Sequence, residues 1–126
     1  MGSSDVTDHR DELARRVETI ERGYEYLLAF AAQGRKDDVG SEVRATLLAM
    51  QAAIGNLSDV VGAEARSTTA FLETLADDAR KAGGVIAFVL SCPAISSLLI
   101  DNLNASSHVR ALLTDLFLAD QALRPR

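Results

Sequence analysis

Apolar residues recur along this chain at alternating steps of four and three. The first series runs through Leu13, Val17, Ile20, Tyr24, Leu27 and Ala31. A strand repeats every two residues, so this spacing predicts a helix with a heptad-like seam. Asp5, Thr7 or Asp8 is suited to cap its start, with Asp11 and Glu12 in the first turn, where the helix dipole favours acids. Gly34, followed by Arg35 and Lys36, predicts its end. A second series repeats the pattern through Val43, Leu47, Met50, Ile54, Leu57 and Val61, with Asp37, Asp38 or Ser41 as its cap. The link GRKDDVGS is short, so the two helices are expected to fold back as an antiparallel hairpin.

A third series, Phe71, Leu75, Ala79, Ala82, Ile86 and Val89, passes over Gly83 and Gly84. Each glycine costs a helix about 1 kcal/mol against alanine, so the helix either runs from about 64 to 91 or divides there. Close approach of another helix would account for the two glycines. Residues 85–100 are almost wholly apolar, but the run is too short to cross a bilayer and Pro93 interrupts it. It reads as the buried centre of a bundle. After Pro93 a short helix carrying Ile95, Leu98, Leu99 and Leu103 is expected, then a turn over 104–107. The last helix presents Val109, Leu112, Leu113, Leu116, Phe117 and Leu123. The pattern predicts an all-α fold: one helical domain over 1–126, a bundle of two to three long antiparallel helices plus two shorter C-terminal helices. Residues 1–6 read as disordered or as the remnant of an expression tag.

Composition supports the helical reading. Aromatics make up 5%, tryptophan is absent, and prolines occur only at 93 and 125. The core must then be built from aliphatic side chains, which favours close helix packing. A net charge of −5 argues against nucleic-acid binding, which needs a basic face. Arginines alternate with glutamates in RRVETIERGYE, the signature of a solvated helix face rather than a binding stripe. The first residues lack the basic and apolar regions of a signal peptide. The chain is therefore expected to be cytoplasmic, without membrane contact.

Candidate chemistry is sparse. Cys92 is the single cysteine and stands before Pro93, a residue favoured in the first turn of a helix. A thiol at that end feels the positive pole of the helix, as reactive thiols do. Its apolar neighbours argue instead for a buried structural cysteine. The histidines, His9 and His108, belong to no Glu-x-x-His pair and no zinc-spaced cluster, so no metal and no cofactor is expected. Phe88, Cys92 and His108 are the candidates for contact with a ligand.

Three functional readings follow. The leading one is a non-catalytic helical interaction protein, an adaptor or regulator that self-associates as a dimer or higher, or binds another helical protein. Its expected interface is Val17, Ile20, Tyr26, Val43 and Leu47, because two regular seams exceed what one small core needs. The second is a bundle that binds an apolar small molecule or cofactor near Gly83, Phe88 and Cys92, with or without catalysis. The third is a thiol redox sensor at Cys92.

Overall fold

The structure is a computed structural model that describes residues 2–62 and 68–123, with side chains over 11–62 and 68–122. Its elements are α1 (Gly2–Ala31), α2 (Val43–Ile54), α3 (Leu57–Gly62), α4 (Thr69–Leu90), α5 (Ser97–Ala105) and α6 (His108–Leu123). There is no strand among the described residues, and the all-α expectation holds. No helix among them is long and apolar enough to cross a membrane.

Helix α1 starts at Gly2, so Asp5, Thr7 and Asp8 lie within it rather than at its cap. It ends at Ala31, and Gly34 takes the left-handed conformation (φ +66°) that glycine adopts without strain. Leu13, Val17, Ile20 and Leu27 of the expected seam are buried, whereas Tyr24 and Ala31 are half-buried. Gly23 and Phe30 take the inner places instead. The reason is that α1 is covered from two sides. Met50 of α2 lies over Gly23, while α5 lies along Tyr24 and Ala31. The buried face is therefore broader than a two-position seam.

The second seam is buried at all six positions, Val43, Leu47, Met50, Ile54, Leu57 and Val61. The helix that carries it is nevertheless broken. Gly55 ends α2 and Asn56 turns through the left-handed region (φ 62°) before α3 begins. Asparagine tolerates that region better than most residues. The break leaves the apolar register intact. The α1–α2 hairpin is antiparallel: Arg16 of α1 donates to the Gly55 carbonyl, Gly23 faces Met50, and the Tyr26 hydroxyl accepts from the Glu42 N–H at 3.1 Å. Of the expected α2 caps, Ser41 receives the Val43 N–H at 3.4 Å, while Asp37 closes its own turn on the Val39 N–H.

Helix α4 begins where the Thr68 hydroxyl accepts the Phe71 N–H at 3.2 Å, a side-chain cap. It then runs unbroken through Gly83 and Gly84. Close approach does not explain these glycines. A Cβ at Gly83 would lie 3.9 Å from Ile54 Cγ2, an ordinary contact, and one at Gly84 would meet nothing. Ala82, Ile86 and Val89 point inward, but Phe88 and Leu98 are exposed, so 85–100 is not wholly buried. In α6, Val109, Leu112, Leu113 and Leu116 are core, Phe117 is exposed, and Asp115 and Ala119 are buried. The Leu123 side chain lies outside the described residues.

Candidate interaction surface

The short helix α5 does not begin at Pro93. Helix α4 closes with the Cys92 N–H donating to the Val89 carbonyl at 3.0 Å, and residues 91–96 form a connection. Ser96 then caps α5, its hydroxyl accepting the Leu99 N–H at 3.0 Å. Ile95 and Ile100, at the positions of a hydrophobic staple, are both fully buried. Cys92 therefore sits just past a helix C-terminus, not at an N-terminus. The positive helix end expected to act on its thiol is absent. The thiol is half-buried rather than core, and Sγ donates to the Phe88 carbonyl at 3.6 Å.

What fixes this corner comes from distant parts of the chain. Arg44 of α2 donates to the carbonyls of Leu90 (3.0 Å) and Cys92 (3.1 Å), a cation placed at the negative end of α4. Its Nε pairs with Asp38 Oδ2 at 3.2 Å. The other Asp38 oxygen accepts the Ile95 N–H at 2.8 Å. That N–H first, and the Arg44 guanidinium second, hold the Asp38 carboxyl below the usual carboxylate range. Ser97 adds a second clasp. Its buried hydroxyl donates to the Phe30 carbonyl (2.7 Å) and accepts the Arg35 N–H (2.8 Å), while its own N–H donates to the Arg35 carbonyl (2.9 Å). The Arg35 guanidinium lies over the Phe30 ring, 5.6 Å from its centroid.

Close in sequence to these clasps, three large apolar side chains are exposed. Val39, next to Asp38, is 77% exposed; Phe88, on the last turn of α4, is 66% exposed; Leu98, next to Ser97, is 68% exposed. Between Lys81 and Asp101 the sequence has no charged residue. Gly84, Ala87, Ser91, Pro93 and Ala94 in that stretch are exposed as well. An uncharged stretch that exposes large apolar side chains is what protein contacts use.

The sequence candidates fall in different places. Val17, Ile20, Val43 and Leu47 are buried by the chain's own helices, so the seams need no second copy to cover them. Tyr26 is half-buried, stacked on Phe30 at 6.3 Å between centroids and bonded to Glu42. Phe88 and Cys92 share the corner. His108 opens α6, half-buried, and its side chain forms no hydrogen bond among the described residues, so no Cys92–His108 pair exists there. Surface grooves lie beside Gly23 and Tyr26, beside Asn56 and Ala79, and beside Tyr24 and Asn104; none is lined by Phe88, Cys92 or His108. Among the described residues no three His, Cys, Asp or Glu side chains are grouped to hold a metal. No protein-family model matches this chain, and no curated protein or solved structure matches it significantly.

Proposed function

We propose that this protein is a non-catalytic, cytoplasmic helical interaction protein that self-associates through the uncharged surface that carries Phe88 and Leu98. The observation that carries the reading is a connection between α4 and α5 that Arg44, Asp38 and Ser97 tie to the rest of the bundle and that nevertheless leaves Phe88 and Leu98 exposed. Fully burying one such side chain is worth about 1.5–3 kcal/mol, so an unexplained exposed pair favours a partner. Charge favours a second copy. Two chains of net charge −5 repel each other, and they meet with least repulsion along the uncharged stretch between Lys81 and Asp101 that carries Phe88 and Leu98. The bare backbone at Gly84, open on its outer side, adds room for close packing.

Light scattering with sedimentation tests the reading. The wild-type chain should be a dimer or larger at high micromolar concentration, and Phe88→Ser with Leu98→Ser should make it monomeric with an unchanged helical spectrum. Leu47→Ala should instead cost about 2–5 kcal/mol of folding stability at every concentration, as a core truncation does. A strictly monomeric wild-type chain would remove the proposal.

A further inference from the structure

Among the described residues Asp115 is the one buried charged residue, 9% exposed on the inner stripe of α6 between Leu112 and Ala119. Its Oδ2 is sealed from solvent and finds no N–H or O–H donor. Its neighbour is another acid, Asp78 of α4, whose carboxyl is in hydrogen-bonding position. Two carboxylates cannot bond to each other. A buried carboxylate without a donor is costly, and the cost disappears if one oxygen carries a proton and donates it to the other acid. We propose that one proton shared by Asp78 and Asp115 latches α6 onto α4, so that α6 docking weakens as the pH rises towards neutrality.

Among the described residues no competing cation is left over for this pair. Helix α6 lies against α4, α1 and α5. On α4, Lys81 and Arg80 are both taken by Asp77 on the exposed flank. On the described part of α1, Arg15 and Arg16 are taken by Glu12, and Arg22 by Glu18. Asp11, Glu21 and Glu25 are exposed. The charged residue of α5, Asp101, is exposed, and Arg110 on α6 itself is exposed, while Asp120 is half-buried and His108 stands at the far end of the helix. Among the described residues the charged group acting on Asp115 is Asp78. Burial first, then the hydrogen bond and charge of Asp78, push the Asp115 carboxyl up to about 7. Its folded form then holds the proton more tightly than its unfolded form. The stability it contributes is complete in acid, falls as the pH rises from about 4 to about 7, and is flat above.

The test is the pH dependence of α6 in the full chain. Carboxyl-resolved NMR should show Asp115 titrating near neutrality, and its midpoint should fall towards the ordinary range in Asp78→Asn, whose amide can donate. Hydrogen-exchange protection, corrected for the intrinsic rate, should drop in α6 relative to α1 between pH 4 and pH 7. Asp115→Asn should flatten that drop. The more exposed Asp78→Asn gives the same readout if the first variant fails to fold. An Asp115 midpoint near 4 in the wild-type chain, or an equal drop in all three chains, overturns the latch.

Discussion

Gly23 of α1 lies against Met50 of α2 so closely that a Cβ at position 23 would stand 2.5 Å from both Cγ and Sδ of the methionine. A glycine inside a helix costs about 1 kcal/mol against alanine, so this position is retained at the expense of helix propensity. What it gains is the seat of Met50, which is fully buried. Two adjoining helices are thereby set in register at one point, where the larger residue of α2 enters the gap left by the missing side chain of α1.

The first prediction is a change of sign. Gly23→Ala in the wild-type chain should lower the urea midpoint, because forced repacking of a full core costs about 1–3 kcal/mol and exceeds the helix gain. With Met50→Ala as background the obstacle is gone, and the same substitution should raise the midpoint. Urea titrations of the four chains, with unchanged slopes, measure the coupling. The same direction in both backgrounds would show that the contact does not set the helix spacing.

How much of this was legible depends on the range of each interaction. Val43, Leu47, Met50, Ile54, Leu57 and Val61 were readable because one helical face is buried along its whole length, and the turn at Asn56 does not disturb the register. The turn itself had a local signal, Gly55 followed by Asn56, that the regular seam masked. The start of α5 was misread because proline is common in a first helical turn. The actual start is set by Ser96 locally and by Asp38, far away in sequence, holding the Ile95 N–H. An acid at position 115, next to Leu116 of the expected stripe, was not singled out, because one polar residue in a broad apolar stripe carries no signal by itself. Its partner Asp78 was not either, because nothing local relates α4 to α6. The exposure of Phe88 was equally invisible, since composition alone places a phenylalanine inside.

The second prediction concerns acid. The Asp38 carboxyl is held below the usual carboxylate range by the Ile95 N–H and by Arg44. A depressed carboxyl contributes stability that is present above the ordinary value and lost as the pH falls through the folded one. Asp38→Asn should therefore be less stable than the wild-type chain at neutral pH, and the difference should close below about pH 4, where the aspartate is itself being protonated. Thermal midpoints of both chains across that range check it. This dependence is opposite in sign to that of Asp115, and it falls in a more acidic window. A constant difference at all pH values would mean that the charge on Asp38 plays no part.

The third prediction rests on Ser97. Its hydroxyl closes a bridge between the end of α1 and the start of α5, donating to Phe30 and accepting from the Arg35 N–H. The two bonds are not equivalent. The Phe30 carbonyl keeps another donor, the Gln33 N–H at 3.1 Å, whereas the Arg35 N–H has the Ser97 oxygen alone. In Ser97→Ala the loss is chiefly that of a part-buried N–H left without an acceptor, about 1–3 kcal/mol. Ser96→Ala removes the α5 cap one residue earlier, and a lost cap costs about 0.5–2 kcal/mol. The magnitudes overlap, so the location of the damage separates them. Ser97→Ala should raise hydrogen exchange at Arg35 and in the last turn of α1 while the first turn of α5 stays protected. Ser96→Ala should do the reverse, exposing the Leu99 N–H first. If both variants open the same amides, the two hydroxyls act as one cap, and α5 is not what holds the end of α1 in place.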